Sequence, residues 1–290
     1  MRFERALALP APAKLNLFLH VVGRRADGYH ELQTVFALID LADWVDVQLR
    51  NDGQVLRHGD LIGTPEADLA VRAARALQQA TGTSAGADIT VLKHIPAGSG
   101  LGGGSSDAAT TLLALNALWR TGLSRAELGS MALGLGADVP FFVQGSNAFG
   151  EGIGERLTPL RLEPVHYAVI WPQVHVPTKE IFTDGGLTRT TKLTKMADFS
   201  AAVESDPTQL FGVNDLQAIT RRRVPEVDEA LRHLERFGPA RMTGSGSAVF
   251  MRTDSEARAK EAVVHVPDGW KGWAVRGLPE HPLAGWPTAT

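Results

Sequence analysis

Residues 96–109 read PAGSGLGGGSSDAA, five glycines and three serines in fourteen positions, and run directly into the apolar stretch TTLLALNALW. The segment leading into them, ADITVLKHIP, is strand-like and ends at Pro96. After them, Ala108, Leu112, Leu115 and Trp119 recur at helical spacing, with Ser105, Ser106 and Asp107 available as cap and first-turn residues. The local order is therefore strand, glycine loop, helix. A loop with few side chains lets backbone N–H groups approach a ligand closely. A helix N-terminus adds about half a positive charge and unsatisfied donors, so the combination suits phosphate. A tight structural turn is the alternative, and so many glycines beside hydroxyls weigh against it.

The type of phosphate site is narrowed by elimination. Gly98, Gly100 and Gly103 satisfy GxGxxG, but the dinucleotide fingerprint wants an acidic residue about 20 positions on. Here that neighbourhood is NALWRTGLS, and the next acid, Glu127, belongs to a helix cap. No GK[ST] follows the loop, and neither HRD nor DFG occurs, which removes the Walker A and protein-kinase readings.

Outward from the loop, Ala13 to Val21 alternates. Leu15, Leu17, Leu19 and Val21 form one face and Lys14, Asn16, Phe18 and His20 the other, as in a strand. Val45, Val47 and Leu49 alternate likewise before the NDG turn at 51–53. Between Glu66 and Thr81, Leu69, Ala73 and Leu77 fall four apart and Gly82 supplies a stop, so a helix is expected. Another starts at Ser124, where Ser124 and Glu127 form a capping box and Leu128, Met131 and Leu135 carry the apolar face to Gly136. The character changes after GEGIGERLTPL, and HYAVIWP opens a second set of elements. It contains the helices PEVDEALRHLERFG (Val227, Leu231, Leu234) and EARAKEAVVH, and strand-like RMTGSGSAVFMR and GWAVRGL. Helices and strands mix without regular βαβ alternation, which reads as α+β in two domains, residues 1–160 and 161–290. The terminal PTAT is expected to fray.

Composition excludes other classes. A net charge of −3 over 290 residues argues against a nucleic-acid surface, and the run Arg221, Arg222 and Arg223 reads as a solvated face. With no cysteine there is no disulfide and no thiolate chemistry, and the nine histidines lack metal spacing. The N-terminal apolar stretch is broken by Pro10, Pro12, Lys14 and Asn16, so neither a signal peptide nor a membrane span is expected, and the cytoplasm is the default. No nucleic-acid or membrane partner is expected, and the chain is expected to be a monomer.

With these residues in view, PAGSGLGGGSSDAA resembles the ATP-loop motif of the GHMP small-molecule kinases, in the long form of the branch whose alcohol substrate carries a cytidine diphosphate. The resemblance extends along the chain in order: PAKLNLFLHVVGRRADGYHELQTVF at 12–36, GADVPFF at 136–142 and MTGSGSAVF at 242–250. It implies an N-terminal domain similar to the second domain of ribosomal protein S5, a ferredoxin-like C-terminal domain and a cleft between them. The implied reaction is ATP-dependent phosphorylation of the 2-hydroxyl of a cytidine-diphosphate-bearing methylerythritol, in the non-mevalonate route to isoprenoid precursors.

The resemblance also implies roles. Asp138 takes the acceptor hydroxyl's proton, and Lys14 stands beside it to stabilise the transferring phosphoryl. Taken alone, Asp138 before Val-Pro reads as a turn residue and Lys14 as an exposed strand lysine. Asn16 shares Lys14's face and is expected to hydrogen-bond substrate. Tyr29 is implied to stack on cytosine, His30 to hydrogen-bond it, and Phe182 to close its other face. Gly98, Gly100, Gly102, Gly103, Gly104, Ser105 and Ser106 form the implied phosphate cradle, with Pro96, Ser99 and Leu101 in the same loop and Lys93 in the nucleotide pocket. Gly244 and Gly246 are expected to let backbone approach the substrate side or the phosphate loop. Asp68 and Leu69 stand where the family often has Asn-Leu near the adenine, and an aspartate accepts but cannot donate there. ATP brings a need for Mg2+, for which Ser105 or Ser106 directly, or Asp107 through water, are the candidate ligands. Two alternatives stay open: another GHMP kinase acting on a mevalonate-type or sugar alcohol, and a non-catalytic nucleotide-binding relative.

Overall fold

The computed structural model describes residues 4–206 and 208–286, so the PTAT terminus lies outside the described residues. A long hairpin organises the first half: β1 (Arg5–Arg24) pairs antiparallel along β2 (His30–Arg50). There follow β3 (Val55–Gly59), α1 (Leu69–Thr81), β4 (Gly86–Leu92), α2 (Gly103–Trp119), α3 (Arg125–Leu133), α4 (Val139–Gln144), β5 (Ala148–Gly152) and β6 (Arg156–Pro159). The other edge of β2 is shared: Trp44 to Arg50 pair with β4, and Leu32 to Phe36 with β5.

The second half begins with β7 (His166–Trp171), α5 (Thr178–Thr183), α6 (Met196–Ser205), α7 (Gln217–Arg223) and α8 (Pro225–Glu235). It closes with β8 (Ala240–Met242), β9 (Val249–Thr253), α9 (Glu256–Val264) and β10 (Lys271–Arg276). Its sheet runs β10-β7-β9-β8 with every pair antiparallel, a ferredoxin-like arrangement. Thus the chain is α+β. Among the described residues no helix is long and apolar enough to cross a membrane.

The layers stack as helices, sheet, sheet, helices. Between the sheets lies a core of Leu15, Leu17, Phe18 and Phe149 from the first half against Tyr167, Val169 and Phe250 from the second. Each such side chain contributes about 2 kcal/mol on burial, so the halves are joined by an apolar interface. The chain end also returns: Leu278 and Leu283 pack on the first half's helical core, and Leu278 N–H donates to Leu38 O at 2.8 Å.

Three local expectations are corrected. Lys14 and Asn16 do share a face, but the alternation breaks at a register shift between Asn16 and Leu19. Phe18 therefore joins Leu15 and Leu17 in the same core. α2 is buried nearly all round, not along one stripe, because it is covered by the sheet and by α1, α3 and α4. Its N-cap is Gly102, with φ 78°, and no side chain caps it, so Ser105, Ser106 and Asp107 lie within the helix. A cap hydroxyl there would occupy the donors that an anion needs. Elsewhere α1 has its left-handed stop at Gly82, and the Ser124–Glu127 capping box forms at α3.

Candidate active site

A cleft of about 1080 Å³ runs across the face where the loop before α2, the start of α4, the β1–β2 turn and α5 meet. Its size is at the upper end for small-molecule sites. The phosphate-loop end is held by backbone: Lys14 N–H donates to Leu101 O at 2.9 Å, and Ala248 N–H to Ser99 O at 2.9 Å. Gly100 has φ 80°, and a Cβ there would sit 2.5 Å from Thr243 O. At Gly102, with φ 78°, a Cβ would come within 3.1 Å of Phe142 and the Lys14 stem. Both positions exclude a side chain on two independent grounds. Gly244 backs onto Gly100 and Asn16.

Lys14 is not an exposed strand lysine; it is 3% exposed. Its Nζ donates to Asn16 Oδ1 at 2.6 Å and lies 3.3 Å from Asp138 Oδ2. Phe36 places its ring centroid 5.6 Å from the ammonium. Asn16 is oriented in turn, its Nδ2 donating to Thr34 Oγ1 at 2.9 Å and its N–H to Thr243 Oγ1 at 2.9 Å. Asp138 occupies the N-cap position of α4 but makes no cap hydrogen bond, and proline stands at the helix start. Pro140 has no N–H to offer. The carboxylate therefore faces Lys14, with its side chain 32% exposed to the cleft. One cation, one carboxylate and one amide, all positioned by buried partners, converge on a single point.

The residues expected on the nucleotide side are more committed than their types suggest. Lys93 ion-pairs with Asp43 and with Asp107 Oδ2, the latter at 2.6 Å. Burial pulls the lysine down, but Asp107 and Asp43 outweigh it, so the ammonium titrates higher than usual. Burial pushes the Asp107 carboxyl up to about 7, with Lys93 opposing and Asp43 reinforcing. Asp43 also accepts from the N–H groups of His94 and Ile95, tying the strand end to the helix that carries the loop. Asp68 lines the cleft, yet its Oδ1 accepts from Ala70 N–H at 2.9 Å as the α1 cap and its Oδ2 takes Arg57 Nε–H at 3.0 Å. Leu69, Pro96, Ser99, Gly103, Gly104 and Ser105 line the cleft with it. Leu101 and Ser106 do not: both are fully buried.

At the far end Tyr29, 62% exposed, sits on the β1–β2 turn, and His30 begins β2. Phe182 from α5 approaches His30 with ring centroids 5.2 Å apart. Arg189 donates to His30 Nε2 at 3.1 Å. Burial, then the charges of Arg189 and Arg24, hold His30 below the ordinary histidine range.

Sequence reasoning missed Asp43, Arg57, Thr34 and Arg189. Asp43, Arg57 and Arg189 sit in no motif of spacing or composition, while Thr34 was within reach inside PAKLNLFLHVVGRRADGYHELQTVF. Thr243 was within reach, since it lies inside MTGSGSAVF.

With this geometry in place, two family models match: the GHMP kinases N-terminal domain over residues 68–146 and the GHMP kinases C-terminal domain over 201–272. The 4-diphosphocytidyl-2-C-methyl-D-erythritol kinase of Azoarcus sp. is 56% identical over 277 residues, 95% of each chain. That of Ralstonia nicotianae is 55% identical over 277 residues, again 95% of each. A crystal structure of 4-(cytidine 5'-diphospho)-2C-methyl-D-erythritol kinase superposes with TM-score 0.80 at 36% identity, covering 94% of this chain and 98% of that one. Homoserine kinase from Cytophaga hutchinsonii shares the fold, with TM-score 0.65 at 16% identity over 97% of this chain and 96% of that one. The chain belongs to the GHMP kinases and, within them, to the 4-diphosphocytidyl-2-C-methyl-D-erythritol kinase family.

Proposed function

We propose that this protein transfers the γ-phosphate of ATP to the 2-hydroxyl of 4-diphosphocytidyl-2-C-methyl-D-erythritol, giving the 2-phosphate and ADP. The observation that carries the chemistry is the convergence of Lys14, Asn16 and Asp138 beside an uncapped helix N-terminus. Phosphoryl transfer needs the two oxygens held in line, the charge of the transferring group stabilised and one proton accepted.

On this reading the γ-phosphate rests on the first-turn N–H groups of α2, the Lys14 ammonium faces its equatorial oxygens, and Asp138 accepts the alcohol proton. The general base supplies a rate factor of about 10²–10⁴. Asn16 orients Lys14 through Oδ1 and leaves the ammonium two further protons, one toward Asp138 and one for phosphate. The cytidine end lies between Tyr29 and Phe182, with His30 reading the base edge, worth about 1–3 kcal/mol in stacking. Residues 1–160 supply the phosphate loop, Lys14 and Asp138, and residues 161–290 supply Phe182.

Magnesium travels with ATP, and the residues present fit it sparingly. Asp107 Oδ1 is buried with no partner beside the cleft, Ser105 lines the cleft, and among the described residues no group of three acids or histidines is arranged to hold a metal ion. The fully buried Ser106 is the weaker candidate. The ion would be held mainly by phosphate, with Asp107 and Ser105 as protein contacts, and when bound it neutralises charge on the β- and γ-oxygens.

The test is ADP release with Mg-ATP and 4-diphosphocytidyl-2-C-methyl-D-erythritol, beside mevalonate, homoserine and galactose. Turnover confined to the cytidyl substrate is expected. Turnover with another alcohol alone would keep the kinase and overturn the substrate.

A further inference from the structure

Arg189 lies on the segment after α5, outside every motif that marks the site. Its four donated hydrogen bonds form one fan. Nε–H goes to His30 Nε2 at 3.1 Å, Nη1 to Leu187 O at 3.1 Å, and Nη2 to Phe182 O at 3.1 Å and Asp184 O at 2.8 Å. The nearby Asp184 carboxylate is not available to it, being taken by Arg222 and Arg223 and by the N–H of Gly186. Arg189 thus grips the backbone of Phe182 and the ring of His30 at once, joining two chain segments whose rings already stand 5.2 Å apart.

We propose that Arg189 is the positioning residue that decides how His30 reads the base: it fixes the imidazole proton on Nδ1 and so selects cytosine over uracil. The inference rests on the reading of His30 as the base-edge contact. A guanidinium donates only and stays charged, so the nitrogen it meets must present a lone pair. Neutral imidazole has one such nitrogen and one N–H. With Nε2 accepting, Nδ1 carries the proton, and a doubly protonated ring would set N–H against N–H. The positive charges of Arg189 and Arg24 favour the same neutral form.

A fixed donor discriminates between pyrimidines. Cytosine N3 and O2 both accept hydrogen bonds, whereas uracil carries a proton on N3. A donor aimed at that position pairs with cytosine and is left unpaired against uracil, a mismatch of about ten- to a hundredfold in affinity.

The experiment combines long-range 15N–1H imidazole spectra of the whole protein with competition by CDP and UDP against the substrate. His30 is assigned by its loss in His30→Gln. The wild type is expected to show His30 protonated on Nδ1 and to prefer CDP over UDP at least tenfold. Arg189→Met is expected to mix the tautomers, to bring the preference toward one, and to raise the substrate KM more than it lowers kcat, with the ATP KM unmoved. Arg189→Lys keeps a donor without the fork, and retention of part of the preference is expected. An Arg189→Met protein that binds ATP normally yet keeps the tautomer and the CDP preference overturns the inference. If that variant does not fold, a wild-type His30 protonated on Nε2 overturns it equally. His30→Ala separates the two layers: preference lost there but kept in Arg189→Met removes Arg189 alone, whereas preference kept in His30→Ala removes the reading of His30 itself.

Discussion

At the proposed phosphate end of the cleft, backbone does the positioning: Gly100 and Gly102 hold left-handed conformations against Thr243 O and the Lys14 stem, and the loop is bonded on one side to β1 and on the other to Ala248, just before β9. At the proposed cytidine end, side chains do it. Tyr29 is 62% exposed on a turn, and Phe182 comes from a six-residue helix anchored to His30 through Arg189. On the proposed reading the first end recognises charge, which any nucleoside triphosphate provides and which needs a rigid array of donors. On the same reading the second recognises one base, which needs shape and a hydrogen-bond pattern. A general site can be built into the core, while a specific one is carried on loops that the scaffold positions.

That contrast can be broken at either end. The largest effect is expected from Asp138→Asn, nearly isosteric, which removes the proton acceptor: kcat falls about 10³-fold while ATP affinity, read by titration calorimetry, stays within twofold. Undiminished turnover would remove Asp138 from the mechanism. Next is Gly100→Ala, where left-handed strain and the 2.5 Å approach to Thr243 O combine. Unfolding free energy is expected to drop by about 3 kcal/mol, seen in denaturant titration. Tyr29→Ala and Phe182→Ala are expected to raise the substrate KM about tenfold each, 1–2 kcal/mol of stacking, more than they lower kcat. Because Tyr29 is exposed, its melting temperature should not move. The smallest effect belongs to Ser124→Ala at the α3 capping box, away from both ends: about 1 kcal/mol of stability and no change in either KM.

The same contrast explains what could be read from the chain alone. The glycine loop, the α1 stop at Gly82 and the capping box at Ser124 are local devices, set by residues within a turn of one another, and they appear in the structure as spacing implies. Lys14 and Asn16 share a face because a strand has period two, and that alone brings Nζ to 2.6 Å from Oδ1. Asp138 was legible only through resemblance, since its partner Lys14 is distant in sequence. The bulge that turns Phe18 into the inter-sheet core has no sequence signal, nor does the all-round burial of α2, which depends on what covers it. Asp68 shows the limit most clearly. The resemblance placed it near the adenine, where its type accepts but cannot donate, and nothing in the chain alone showed that Arg57 and the α1 backbone engage both its oxygens.

The most direct test is to measure both KM values, for ATP and for the cytidyl alcohol, in Gly104→Val and Tyr29→Ala. Gly104 is exposed in the phosphate cradle, with ordinary room for a Cβ 3.6 Å from Leu69, so its added side chain obstructs phosphate without straining the loop. Gly104→Val is expected to raise the ATP KM at least tenfold and leave the alcohol KM in place, while Tyr29→Ala does the reverse. If each variant moved both constants together, the division of the cleft into a backbone-built phosphate end and a side-chain-built cytidine end would be contradicted.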